Sequence, residues 1–306
     1  MLRIEADAFS GRPNAVGMVT DPDQAAELLG AVSEAREAVA TPGAGFDGLG
    51  YREVKVSLVH DDEPRRRGVP REFALGSTAA ADLEASGALA RRFLEAMFSN
   101  RDIRLLEHEH TPLDHRILEL VLEGMERLLR SPPDLRPPPP PPANPLRTTV
   151  RDSWCENCEY EVSQFNPAFW NSSPYVRQNN NCYNYARNWR TNTFAQPGRA
   201  HGAGTNIMQC GDVKAAAMAD GLVERCKCLS DKEYPRRLMA LVVGPDYDYH
   251  WYREQRDGFW GHKPGQTAAR NTDENGALVV NPETAARGPY TDFCGYFYAG
   301  LSVVIN

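Results

Sequence analysis

Cysteine is absent from the first 150 residues of this 306-residue chain; all seven lie beyond them. The first half can therefore hold neither a disulfide framework nor a thiolate metal site. Basic charge is also in deficit, with 34 Lys and Arg against 41 Asp and Glu, a net of −7. That balance offers no electrostatic footprint for nucleic acid or anionic lipid, so no nucleic-acid partner is expected. No apolar run approaches the roughly 18 residues of a membrane span. The opening residues, MLRIEADAFSGRPNAVG, lack the basic and apolar regions of a signal peptide. The default expectation is a cytoplasmic protein with no membrane span, with non-classical export as the alternative.

What is present divides the chain. Residues 131–150 contain six consecutive prolines, Pro137 to Pro142. Such a run favours extended polyproline II, a semi-rigid spacer of about 3.1 Å per residue, and can also serve as an SH3-type ligand. Two domains follow, 1–130 and 151–306, both α+β.

In the first, Leu2 to Phe9 alternates as a strand would, and Ser10 to Asn14 breaks it with turn chemistry. Thr20 or Asp21 is positioned to cap a helix carrying Ala25, Leu28, Leu29 and Val32 on one face. Strands are expected at Tyr51 to Val59 and Arg71 to Leu75, joined by the charged turn Asp61 to Arg67. Amphipathic helices are expected near Thr78 to Phe98 and Asp114 to Arg130. His108, His110 and His115, interleaved with Glu107 and Glu109, form a candidate metal cluster, against the blander reading of surface histidines. With no catalytic cluster here, this domain is expected to recruit a protein partner or a substrate.

The second domain is rich in Trp, Tyr and Asn. A helix is expected from Cys182 to about Arg190 and another over Asp212 to Asp220. Strands are expected at Met239 to Val243, Asp248 to Glu254, Phe259 to Lys263, Ala277 to Val280 and Tyr296 to Ile305. Asn179, Asn180 and Asn181 place Cys182 at a helix N-terminus, where orphan N–H groups and the helix dipole favour a thiolate. A small buried hydrophobe is the competing reading. His250, on a strand among aromatics, is the candidate general base. A three-residue turn at Arg256 to Gly258 would set His262 diagonally across from His250 on the same face, as its orienting group. A two-residue turn would separate them and leave Asp273, Asn271 or Asn281 for that role.

Asn-Asn-Cys-Tyr-Asn-Tyr-Ala at 180 to 186 and Asp-Tyr-His-Trp-Tyr at 248 to 252 resemble, in layout, the cysteine helix and histidine strand of the papain-like superfamily, including its NlpC/P60 and CHAP branches. The resemblance covers about 130 residues and lacks the Asp-Cys-Ser-Gly and Cys-Gly-Ser-Cys-Trp signatures of those branches. The segments from Asn180 to Gly204 and from His250 to Gly295 are also similar to uncharacterised bacterial proteins. The resemblance implies a cysteine helix packed on an antiparallel sheet and a thiol hydrolase or acyl transferase working through a Cys182 thioester. Its substrate would be a peptide, a protein or a cell-wall amide. The oxyanion hole would combine the Cys182 backbone N–H with an upstream amide, here assigned to Gln178.

The remaining cysteines allow two outcomes. Cys155, Cys158, Cys226 and Cys228 could form a tetrahedral structural zinc site. In an oxidising compartment they would form disulfides instead, with Cys210 joined to Cys294 and Cys182 left over. Catalysis itself would need no cofactor. Two other readings compete with the hydrolase. One is a non-enzymatic interaction protein with a zinc- or disulfide-stabilised, aromatic-rich binding domain. The other is a zinc enzyme using His201, His250 or His262.

Overall fold

A computed structural model describes residues 1–59, 68–101, 110–133 and 148–306. The charged turn at 61–67, His108 with its flanking glutamates and the proline run lie outside the described residues. The class is α+β, as expected, and the chain divides into two compact units. The first comprises Met1–Phe9 and Pro13–Pro133; the second comprises Ser10–Arg12 and Asp134–Asn306.

Among the described residues, the first unit is a four-stranded antiparallel sheet with three α-helices. Its strands are β1 (Leu2–Asp7), β2 (Ala15–Val19), β3 (Glu53–Leu58) and β4 (Glu72–Leu75), in the order β2-β1-β3-β4. The register aligns Ile4 with Val56, Ala6 with Val54, and Val56 with Phe73, so alternate positions make one apolar face. The helices are α1 (Pro22–Glu34), α2 (Leu83–Ser99) and α3 (His115–Arg130). Phe93, Leu94 and Met97 of α2 are buried, with Phe93 edge-on to Phe73 at 6.1 Å. Each such side chain contributes about 1.5–3 kcal/mol by leaving water.

Three aspartates start the three helices. Asp21 accepts from the N–H groups of Asp23 and Gln24, Asp82 from Ala85 and Asp114 from Ile117. Because Asp82 is the cap, α2 begins five residues later than expected from Thr78, whose hydroxyl instead accepts from Phe46 N–H. Strand β2 was not anticipated, since glycine at its centre weakens a strand pattern. Gly17 is there for space: a Cβ would stand 2.6 Å from Met97 Cγ.

A buried ion pair links β1 to the start of β3. Arg52 donates to Asp7 through Nε (2.8 Å) and Nη2, and Lys55 Nζ lies 2.6 Å from the other carboxylate oxygen. Burial alone would raise the Asp7 pKa, but the two cations hold it well below the usual carboxylate range.

The second unit carries a two-stranded hairpin, β5 (Thr148–Arg151) and β6 (Glu159–Val162). Two one-turn helices follow, α4 (Pro167–Asn171) and α5 (Pro174–Gln178), then α6 (Cys182–Arg187) and α7 (Cys210–Ala219). Its main sheet is antiparallel, in the order β10-β9-β8-β11-β7, built from β7 (Val223–Glu224), β8 (Arg237–Gly244), β9 (Asp248–Glu254), β10 (Trp260–His262) and β11 (Asp292–Ala299). One face carries Met239, Leu241, Val243, Tyr249, Trp251 and Phe297, all in one core with Cys182, Tyr183 and Ala186 of α6.

Two expected strands differ. Ala277 to Val280 forms no strand and makes only an isolated bridge between Thr272 and Leu278. The last strand lies earlier than expected, because Leu301 N–H turns away to bond Glu233 O beyond Gly300. Among the described residues, no helix is long and apolar enough to cross a membrane.

Candidate functional site

Helix α6 begins where expected, and asparagines build its start. Asn181 Oδ1 accepts from Tyr183 and Asn184 N–H, while Asn184 Oδ1 accepts from Asn181 N–H, each at 3.1 Å: a reciprocal capping box. Asn180 donates to Val176 O and Asn192 Oδ1, and Asn188, in the left-handed region at φ 59°, ends the helix three residues short of expectation. These amides are therefore occupied in fixing the backbone. Gln178, assigned to an oxyanion hole, is exposed at the end of α5.

Cys182 is a free thiol and wholly buried. Burial pushes its pKa well up and the Asp248 carboxylate adds to the rise, outweighing the N–H groups of Trp251 and Tyr183 that favour the thiolate. The helix N-terminus thus fails to produce the expected thiolate.

His250 is on the other side of the sheet. Its neighbours Tyr249 and Trp251 share the core with Cys182, so by the two-residue period of a strand His250 faces away. There its ring packs against Tyr252, His262 and Tyr290. The turn at Arg256–Gly258 has three residues, with Asp257 left-handed at φ 72°, and His262 pairs with Tyr252. His262 consequently sits diagonal to His250, with His250 Nε2 2.9 Å from His262 Nδ1. The Thr272 carbonyl can only accept, so His262 Nε2, 2.8 Å away, donates to it. In neutral His262, Nδ1 then accepts from His250 Nε2–H. Burial, reinforced by the Arg270 charge, pulls the His262 pKa down to about 3. The histidine pair of the three-residue alternative forms, but it is buried on the face of the sheet that does not carry the thiol. The Asp273 carboxylate accepts from Asn275, Ala277 and Ala286 N–H and shapes a turn.

The paired cysteines take the oxidised outcome. Cys155 joins Cys226, Cys158 joins Cys228 and Cys210 joins Cys294, with Cα separations of 5.2, 4.9 and 5.3 Å. The four sulfurs proposed for zinc are thereby consumed, and among the described residues no other group of three His, Cys, Asp or Glu could hold a metal. His201, the third candidate zinc ligand, pairs with buried Asp220 at 2.9 Å. His110 and His115 belong to no metal group among the described residues.

Two features escaped the sequence reading. Asp248 is buried and accepts from the N–H groups of Ser10, Gly11 and Arg12, which belong to this unit, and from Tyr290 OH. Trp154, beside Cys155, is 81% exposed, with Arg225 stacked between it and Tyr296. A tryptophan adjoining a disulfide in an otherwise polar stretch was the available signal.

No family model matches the chain, and no solved structure matches it. A relative does: insoluble matrix shell protein 1 of the mollusc Ruditapes philippinarum is 46% identical over 144 residues, which is 47% of this chain and 95% of that protein. The chain belongs to the insoluble matrix shell protein 1 family. This membership overturns the papain-like and bacterial resemblance, and with it the hydrolase, peptidase and amidase readings. The matrix shell protein family and the three disulfides also overturn the cytoplasmic expectation, because such cross-links persist in oxidising compartments.

Proposed function

We propose that the protein is a structural, non-catalytic matrix protein whose second unit is a disulfide-braced scaffold that binds rather than reacts. The fate of the cysteines carries this reading: six are cross-linked, and the seventh is sealed in the core across the sheet from the histidine that would have to activate it. The kinship with a protein named for an insoluble shell matrix supports it.

Limited alkylation of the native, oxidised protein near neutral pH tests the reading. Cys182 should stay unmodified, both in the native protein and in His250→Ala, and should label fully only after denaturation. Selective labelling of Cys182 in the native state, abolished by His250→Ala, would sink it.

A further inference from the structure

The turn Ser10–Arg12 is part of the second unit, although Phe9 before it and Pro13 after it belong to the first. Within the second unit it is held entirely by residues remote in sequence. The Asp248 carboxylate accepts from the N–H groups of Ser10, Gly11 and Arg12 at 2.5, 3.0 and 3.0 Å. The Gly11 carbonyl accepts from the Asn181 and Gln196 amides at 2.6 and 2.9 Å, and the Ser10 carbonyl from Gly265 N–H at 3.1 Å. All the groups bound on the turn are backbone groups, so what is recognised is a path of main chain. Gly11 sets that path, because a Cβ there would stand 2.5 Å from both the Tyr249 ring and the Tyr249 carbonyl.

The acceptor is built to be filled. Asp248 is wholly buried, and its carboxylate is satisfied by the three N–H groups of the turn and by Tyr290 OH. Removing the turn strands a charge in the core without most of its donors. The turn is equally prepared, since residues of the first unit fix both its ends. Asn14 Oδ1 accepts from Ala8 and Phe9 N–H, Arg52 Nη2 donates to Phe9 O, and Thr111 Oγ1 donates to Pro13 O. A preformed tip and a preformed acceptor lose little freedom on meeting. The bonds do not distinguish a tip on the same chain from the identical tip of another copy. The two differ in effective concentration, and packing copies together raises the second without changing the first. That is the condition under which identical elements exchange between protomers.

We infer that the Asp248 notch is a docking site for the Ser10–Gly11–Arg12 turn of a second copy of this chain, so that exchange of the turn links molecules. Every copy carries one tip and one acceptor. Reciprocal exchange therefore closes a two-fold dimer, and one-way exchange extends an open head-to-tail chain. The inference rests on the scaffold reading and gives that scaffold its means of assembly.

The test is sedimentation velocity on two full-length, oxidised variants. Gly11→Val keeps the acceptor and spoils the tip; Asp248→Asn keeps the tip and spoils the acceptor. Each alone should be a monomer, and mixing them should give an equimolar complex, because a sound tip then meets a sound acceptor. A synthetic peptide copying residues 8–14 should dissolve that complex, and the same peptide carrying Gly11→Ala should be about tenfold less effective or worse. Wild type should be monomeric when dilute and form peptide-sensitive dimers or longer chains when concentrated. Tryptophan fluorescence reports whether each variant's second unit is folded; where it is not, Gly11→Ala or Gln196→Ala takes its place. The inference is overturned by folded variants that stay monomeric on mixing, by a complex that the peptide leaves intact, by wild type that stays monomeric even when concentrated, or by wild-type association that the tip variant does not reduce. Alkylating Cys182 in the same samples separates the two readings: an unreactive thiol with no complex defeats only the exchange, whereas a reactive native thiol defeats the scaffold.

Discussion

The two units stay folded by different means. The first has no cysteine and needs none, because helices lie on a sheet whose apolar face is continuous and whose helix ends are capped by aspartates. In the second, only α7 exceeds six residues among the helices of the described residues, and long irregular segments are held by three disulfides and by amide side chains bonded to backbone. Where regular structure is short, covalent and polar ties replace it. The contrast can be read separately in solution, since all five tryptophans lie in the second unit and report on it alone.

Reduction should break the comparison most. It should lower the urea midpoint of tryptophan fluorescence severely while the far-ultraviolet signal of the first unit's helices persists. The cross-links are unequal. Cys210–Cys294 spans 84 residues and is worth about 4 to 5 kcal/mol on a loop-entropy model. Cys158–Cys228 closes only a small ring once Cys155–Cys226 exists, about 2 kcal/mol by the same model. The Cys210→Ser/Cys294→Ser double variant should therefore lose more than Cys158→Ser/Cys228→Ser; equal losses would refute the nested-loop account.

Arg52→Ala attacks the first unit in the corresponding way, leaving buried Asp7 with the Lys55 cation and the Asn14 amide. It should cost about 3 kcal/mol in the helical signal and spare the tryptophan transition.

Acid should separate the units more gently. His262, with a folded pKa of about 3, binds its proton more readily when unfolded. The second unit therefore keeps this stability above the unfolded value of about 6.5 and loses it as pH falls toward 3, by up to about 1.4 kcal/mol per pH unit. Asp7 is depressed, so its contribution holds above about 3.9 and disappears only below that. Melts at pH 6.5 and 4.5 should show a lower midpoint for the tryptophan transition alone, a difference that His262→Gln should reduce. The smallest effect is at the α1 cap, where Asp21→Ala should cost about 1 kcal/mol in the first unit and nothing in the second.

The first unit was largely legible because amphipathic period and capping residues are local signals; only β2, with Gly17 set by a contact from distant α2, escaped. In the second unit the sequence located α6, β8 and β9 but left open whether the turn after β9 has two residues or three, which decides whether His262 meets His250. It could not reveal which sheet face met α6. That one alternation separates Cys182 from His250 and removes the hydrolase. The cysteine count foresaw a leftover thiol, but zinc and disulfides share the same spacing, so pairing waited on three-dimensional proximity. Strand Ala277 to Val280 failed because an apolar run can edge a loop, and Asp273 spends its carboxylate on that loop.

The burial of Cys182 has a consequence for durability. Disulfides are scrambled by thiolates, and the chain carries one spare sulfur able to start the exchange. Sealed under α6 and kept protonated, it is a guarded initiator. The lifetime of the covalent frame is then set by how often α6 lifts away, and each such opening also offers a neighbouring molecule a sulfur with which to cross-link.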